Sequence, residues 1–322
     1  MTLFFEKEKE NFSRWKYHAM DNSITTYYFT PIYNYFLDLI PMNISPNMLT
    51  FLGLMCTLFG YYISYNYFEM YPKSVCFSLI LLWCGYIIFD AIDGKQARRI
   101  GNSSPLGEFL DHACDIISDL MVILSLCQVM GIRDKWTVWY LVQVGELLFL
   151  EFHIRALRDK IVTFNSFYGP VEALCVGMII CLLRVVFTLN FNQFFVIVAP
   201  YMYYTVLSYV LYLSIKLEKI RLVLVSCLIF TFISYLFKIY FNINPSNINI
   251  IGNGCNLALI TCDIILAKMG DTTMHYYMLD LILLSLCNSF LGIMITFLYY
   301  IGVLNELSLY LNMPLLRIKR NK

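Results

Sequence analysis

Long apolar stretches interrupted by short polar ones make up most of this chain, each close to the roughly 20 residues that a helix needs to cross a bilayer. They run near 48–66, 75–92, 109–130, 136–156, 171–190, 193–214, 220–241 and 249–268, and a longer one extends from 275 to about 312. The segment 27–41, YYFTPIYNYFLDLIP, is too short and too mixed to span. Its pattern fits an amphipathic helix lying in the membrane interface.

Lysine and arginine placement orients these spans. The N-terminal tail and the connections 95–99 (KQARR), 155–160 (RALRDK) and 216–221 (KLEKIR) fall on alternate turns, so they share one side, expected to be cytosolic. The connections 67–74, 191–192 and 242–248 are poor in basic residues, while Arg133 and Lys135 weaken the contrast where they stand. The closing RIKRNK also belongs on the cytosolic side, which requires an even number of spans. The last apolar stretch is then two helices broken near Asn288–Gly292, and the expected count is ten.

Composition supports this pattern. Hydrophobic residues are 59% of the chain and charged ones 14%, against about a quarter charged in soluble proteins, and mean hydropathy is +0.65. The expected fold class is an all-α polytopic membrane protein with about ten transmembrane helices and an N-terminal interfacial amphipathic helix. We expect one membrane domain over 1–322: a cytosolic or interfacial segment 1–47, transmembrane helices over 48–312 and a basic cytosolic tail 313–322. A net charge of +1 without a basic tract gives no reason to expect nucleic acid. The 11 cysteines sit mostly inside apolar runs, with neither zinc-ligand spacing nor a secreted disulfide framework, and read as core filler.

Ionisable groups at membrane depth are costly and mark function by default. They concentrate where the second span ends and the third begins, in FDAIDGKQARRIGNSSPLGEFLDHACDIISD from Phe89. On a helix Asp90 and Asp93 share a face, as do Asp111 and Asp115. A connection of about a dozen residues rich in Gly, Ser and Pro makes the two helices antiparallel neighbours whose carboxylates can meet. Four carboxylates together repel by several kcal/mol at low effective dielectric, and divalent cations relieve this. Oxygen-only ligands favour Mg²⁺ or Mn²⁺ over zinc, and two ions about 4 Å apart form a clamp for phosphoryl transfer. The competing view, in which these acids are helix caps and partners of Arg98 and Arg99, suits one aspartate better than four at this spacing.

The pattern D-x-x-D-G-x-x-A-R-x8-G-x-x-x-D-x-x-x-D, here Asp90, Asp93, Gly94, Ala97, Arg98, Gly107, Asp111 and Asp115, resembles the signature of the CDP-alcohol phosphotransferase family without gap or substitution. Its filling, DGKQARR…NSSPLGE…DHACD, is similar to the eukaryotic choline/ethanolamine phosphotransferase branch, with Ala113 where that branch usually has Gly. SPNMLTFLGL (Ser45–Leu54) and GPVEAL (Gly169–Leu174) extend the resemblance over most of residues 15–180.

The resemblance implies that a diacylglycerol hydroxyl attacks the phosphorus bearing the amino alcohol and CMP leaves. Asp90, Asp93, Asp111 and Asp115 would hold two Mg²⁺ or Mn²⁺ ions across the diphosphate. Arg98 would offer a forked donor to phosphate, and Gly94, Ala97 and Gly107 would leave room for the nucleotide. Asn47, at the opening of the first span, would reach the cytidine side, although a helix N-cap is its competing role. The wider family often gives the general-base role to the fourth aspartate. A carboxylate on two cations is a weak base, whereas a neutral imidazole, ordinarily titrating near 6.5, suits proton abstraction. His112, beside Asp111 and three residues before Asp115, is the expected base, with Glu172 orienting or relaying from it.

Expected partners are CDP-ethanolamine or CDP-choline, diacylglycerol, membrane lipids and a second copy in a homodimer. The expected location is the endoplasmic reticulum or Golgi membrane with the site facing the cytosol. Another head group or acceptor, such as inositol, glycerol phosphate or ceramide, is compatible with the motif but fits its filling less well. A cation transporter would show inverted repeats and broken midplane helices, and the chain has no such repeat. Asp119, one turn beyond Asp115, and Asp263 and Asp280 are expected to make helix–helix contacts. Glu146, Glu151, His153 and Arg155 are expected to pair among themselves.

Overall fold

In the computed structural model the described residues are 3–318 apart from 5, 17, 165–168 and 219. Lys319, Arg320 and Lys322 of the closing basic sequence, and Lys219 of the 216–221 connection, lie outside them. The elements are helices α1 (Glu6–Arg14), α2 (Ile24–Leu39), α3 (Pro46–Tyr67), α4 (Pro72–Arg99), α5 (Pro105–Val129), α6 (Lys135–Asp159), α7 (Pro170–Val186), α8 (Asn192–Lys216), α9 (Arg221–Tyr240), α10 (Asn247–Gly270), α11 (Tyr277–Cys287) and α12 (Ser289–Leu311). Two three-residue strands, β1 (Ala19–Asp21) and β2 (Val162–Phe164), pair in parallel.

The protein is thus an all-α polytopic membrane protein. Each expected span corresponds to a helix, and the predicted break falls at Asn288, between α11 and α12. The count of ten crossings does not follow from length and apolarity. Among the described residues six helices meet both requirements: α3, α4, α5, α8, α10 and α12. At 1.5 Å per residue the 11-residue α11 reaches about 16 Å, half of a hydrocarbon core of about 30 Å. The stretch 275–312 therefore holds one spanning-length helix preceded by a short one.

Two compact units emerge from the contacts. The first comprises 1–14, 132–160 and 191–303, and the second 15–131, 161–190 and 304–322.

The second unit carries the aspartate motif. Its centre is α3, which packs along both α4 and α5, whereas those two touch each other little. Hydroxyl pairs join α3 to α5: Thr57 with Ser118 at 2.9 Å and Ser64 with Ser125 at 3.1 Å. Both pairs have the same offset, so the two helices run parallel, and hydroxyl bonds of this kind replace the hydrophobic effect as adhesion within a bilayer. Against α4, α3 presents glycines. A Cβ on Gly53 would lie 3.3 Å from the Tyr86 ring, and one on Gly60 3.2 Å from Leu79.

The connection between α4 and α5 is set by local chemistry. Gly101 takes φ +66°, and the Asn102 and Gly101 amides donate to the Ala97 and Arg98 carbonyls at 2.8 and 3.3 Å. This is the glycine-terminated C-cap that closes helix ends. Ser104 then caps α5, accepting from the Gly107 amide at 3.1 Å, with Pro105 at the first helical position.

Helix α2 lies against the end of α4. Arg99 donates to the Leu37 and Ile40 carbonyls at 2.8 and 3.2 Å, and Gln96 to those of Pro41 and Ile44. Tyr33, Phe29 and Leu37 face the core while Tyr28, Ile32, Tyr35 and Leu39 are exposed, the two-faced pattern expected for the segment 27–41.

In the first unit α10 is buried along nearly its whole length. Helix α1 packs on it, with Glu8 beside Gly270 and both Glu8 and Phe12 buried, so part of the N-terminal segment is built into the core. Asp263 makes the interhelical contacts expected of it, accepting from His275 and from Tyr299 of α12. Arg155 pairs with Glu151 at 2.7 Å, while His153 turns to the Phe149 carbonyl. All eleven cysteines are thiols outside any disulfide.

Candidate active site

Asp90 and Asp93 occupy the last turns of α4, and Asp111 and Asp115 the first turns of α5. The four carboxylates come together. Asp90 lies beside Asp115, and Asp90, Asp93 and Asp115 are all within electrostatic reach of Asp111. Ligand atoms of Asp111, His112 and Asp115 lie within 4.8 Å of one another. His112 is buried, with Nδ1 3.8 Å from Asp115 Oδ2.

Neutral donors hold these acids. Tyr86, one turn before Asp90, donates its phenol to Asp115 Oδ1 at 2.8 Å, and Thr50 of α3 donates to Asp93 Oδ2. Among the described residues no lysine or arginine forms an ion pair with any of the four. Oδ1 of Asp111 is buried without a hydrogen-bond partner. Clustered carboxylates and an unsatisfied buried oxygen are the signs of a site shaped for positive charge. Carboxylate oxygens beside one imidazole suit a hard divalent cation, so the residues fit Mg²⁺ or Mn²⁺.

The remaining expected site residues surround this centre. The Arg98 guanidinium folds back over Gly94, 3.4 Å from where a Cβ would stand, and is otherwise exposed. Ala97 is half-buried on the same helix end. Gly107 faces Asn47: a Cβ there would lie 3.5 Å from Asn47 Oδ1. Asn47 is not the N-cap of α3; Ser45 is, accepting from the Met48 amide. The Asn47 amide donates instead to the Leu315 carbonyl at 2.6 Å.

Glu172 is placed differently from the expected relay. It accepts from the Thr25 hydroxyl at 2.6 Å and the Thr25 amide at 3.3 Å, tying α7 to the start of α2. Its other oxygen lies against Gly169, 2.5 Å from where a Cβ would stand. Among the described residues no hydrogen bond joins it to His112.

Thr50 and Tyr86 were missed by sequence reasoning. Hydroxyls carry no charge signal, yet Tyr86 precedes Asp90 by four residues, and Thr50, Thr57 and Ser64 form a heptad of hydroxyls. Both patterns were available in the sequence.

Comparison with known proteins agrees with this geometry. The CDP-alcohol phosphatidyltransferase family model matches residues 43–211, which contain all four aspartates. An uncharacterized CDP-alcohol phosphatidyltransferase class-I family protein of Dictyostelium discoideum is 33% identical over 187 residues, 56% of this chain and 46% of that protein. Choline/ethanolaminephosphotransferase 1 of Arabidopsis thaliana is 41% identical over 132 residues, 39% of this chain and 34% of that protein. Cholinephosphotransferase 1 of Saccharomyces cerevisiae is 29% identical over 183 residues, 52% of this chain and 45% of that protein. The chain thus spans about half, or less, of the length of these curated relatives. With just over half of its residues matched to the family model, the chain belongs to the CDP-alcohol phosphatidyltransferase family.

Proposed function

We propose that the protein transfers phosphoethanolamine or phosphocholine from the CDP-alcohol to the hydroxyl of diacylglycerol, releasing CMP. The observation that carries this reading is the convergence of Asp90, Asp93, Asp111 and Asp115 from two helices, with an unpartnered buried oxygen on Asp111 and His112 beside it. The names of the plant and yeast relatives support the choice of head group.

Two Mg²⁺ or Mn²⁺ ions held by the four aspartates would neutralise the diphosphate and the leaving CMP. The chain's own residues supply the rest. His112 takes the proton as the lipid hydroxyl oxygen bonds to phosphorus. The bond from that phosphorus to the bridging oxygen breaks, and CMP leaves with the electron pair. Arg98 at the end of α4 offers two parallel donors to a phosphate. Gly94, Ala97 and Gly107 keep the helix surfaces low enough for the nucleotide, and Asn47, opposite Gly107, meets its base side.

Glu172 enters differently. With Thr25 on one oxygen and its own helix start at the other, it braces α2 beside the site, and a relay to His112 would require it to leave Thr25. We place the protein, as a homodimer, in the endoplasmic reticulum or Golgi membrane with this site on the cytosolic side, where a soluble CDP-alcohol meets a lipid hydroxyl.

The test is CMP release by purified protein given diacylglycerol with CDP-ethanolamine or CDP-choline, before and after chelation and metal return. Turnover that disappears with the metal and returns with it supports the reading. Inactivity with both head groups, beside activity with inositol and CDP-diacylglycerol, would overturn it.

A further inference from the structure

Of the four carboxylates, two are aimed by hydroxyl groups, one on each helix. Asp115 on α5 accepts the Tyr86 phenol at 2.8 Å, and Asp93 on α4 accepts the Thr50 hydroxyl. Asp111 Oδ1, by contrast, is buried and has no hydrogen-bond partner.

Both hydroxyls depend on α3. Thr50 stands on it, and Gly53, one turn later, admits the Tyr86 ring; a Cβ there would lie 3.3 Å from the ring carbon. A helix that contributes no carboxylate thus fixes the direction of two. The donors are also neutral. A hydroxyl satisfies one lone pair of a carboxylate and holds its rotamer but leaves the full negative charge, whereas an arginine would cancel it. Partners of this kind orient metal ligands, and their loss typically lowers metal affinity by roughly 10- to 100-fold.

We infer that Tyr86 and Thr50 are positioning residues that lock Asp115 and Asp93 in the orientation that binds a divalent cation. The inference rests on the cation-site reading above and adds residues outside the aspartate motif. It does not make either hydroxyl a proton donor to substrate.

Tyr86→Phe keeps the ring against Gly53 and removes only the donor, and Thr50→Val does the same on α3. Mn²⁺ binding to purified protein without substrate, followed by loss of the free-ion paramagnetic resonance signal, is the primary readout. The expected result is Mn²⁺ binding weakened roughly 10- to 100-fold in each variant. Turnover should recover near the wild-type level at saturating Mn²⁺, and KM for the CDP-alcohol should stay within about twofold. Asp111→Asn serves as the control that removes a ligand outright.

If the wild type binds Mn²⁺ and Asp111→Asn does not, while both hydroxyl variants bind like the wild type, the positioning role is overturned and the cation site stands. Undiminished binding with turnover that stays low at saturating metal also overturns it, because the hydroxyl would then act on the reacting groups. A wild type that binds no Mn²⁺ overturns both readings.

Discussion

Asn47 donates its side-chain amide to the backbone carbonyl of Leu315 at 2.6 Å, tying the first turn of α3 to the segment that follows α12. Ser45 adds a second bond, to the Leu316 carbonyl at 3.0 Å, and Leu315 packs near Leu54, Leu110 and Cys114. The amide that would meet the nucleotide base is therefore held by the chain itself. A net hydrogen bond contributes about 1 kcal/mol, or roughly fivefold in a local opening equilibrium. In Asn47→Ala, amide exchange over 313–318 should accelerate by about that factor. Saturating CDP-ethanolamine should produce a similar acceleration in the wild type. Exchange mass spectrometry checks both, and unchanged protection with nucleotide bound would count against Asn47 as a base-side contact.

Asp111 is expected to be needed for turnover and not for folding. Its buried Oδ1 lacks a partner, and three other carboxylates lie within electrostatic reach. Replacing it by Asn removes one negative charge from that group. Metal-free Asp111→Asn should melt at the wild-type temperature or above, while activity falls by at least about 10³-fold, the usual trade between stability and function at such sites. A melting temperature well below the wild type would mean that the carboxylate is structural.

His112 should be replaceable by a diffusible base. General-base removal typically costs about 10²- to 10⁴-fold, and His112→Ala should lose kcat in that range with little change in Mn²⁺ affinity. Added imidazole should restore part of the rate, because the Ala variant leaves room beside Asp115. If Mn²⁺ affinity collapses instead, His112 is a ligand, a role its place in the Asp111–His112–Asp115 group also allows.

Close helix approach in the first unit gives a stability test remote from the site. A Cβ built on Gly252 would lie 2.6 Å from the Ser289 carbonyl oxygen, and that backbone cannot swing aside as a side chain can. Gly252→Ala should cost about 1–3 kcal/mol through overpacking. Gly302→Ala meets only the tip of Leu3 at 3.2 Å and should be nearly neutral. Thermal melting of the two variants in one detergent measures the contrast.

What could be read in advance follows from where the signals are local. The aspartate motif stands within 26 residues, and its convergence needed only two helices and a capped turn. Helix α2 was visible because its apolar and polar sides alternate within 16 residues. Spans were harder, because apolarity marks a stretch as membrane-compatible without saying that a helix runs through it unbroken; the end of α11 at Asn288 shortens one below spanning length. The partners of Glu8 stand more than 250 residues away, so a polar N-terminus looked solvated while its carboxylate was being buried. Strand β2 is three residues that pair with a segment over 140 residues earlier, and no local pattern distinguishes it.

That distant partnership is itself testable through pH. His275, in the connection between α10 and α11, places Nδ1 2.7 Å from Asp263 Oδ1 and Nε2 3.1 Å from Glu8 Oε2, all three side chains being buried. Carboxylates accept only, so both ring nitrogens donate and the ring is an imidazolium. Burial pulls its pKa down, but the hydrogen bonds and charges of Asp263 and Glu8 outweigh it and raise the pKa from 6.5 to about 10. A folded-state pKa above the unfolded one stabilises the fold fully below about pH 6.5. That contribution declines as the pH rises and is lost as it passes through about 10. Thr272 and Tyr299 complete the group, donating to Glu8 at 2.6 Å and Asp263 at 3.0 Å. His275→Gln should cost about 3–5 kcal/mol near neutral pH, since it leaves two buried carboxylates without a cation. The melting-temperature gap between wild type and variant should then narrow steadily from about pH 6.5 to about pH 10, where the folded ring keeps a proton that the unfolded one has lost. A gap that stays constant across that range would show that the ring acts by shape alone, and that helix α1 is not held to α10 by charge.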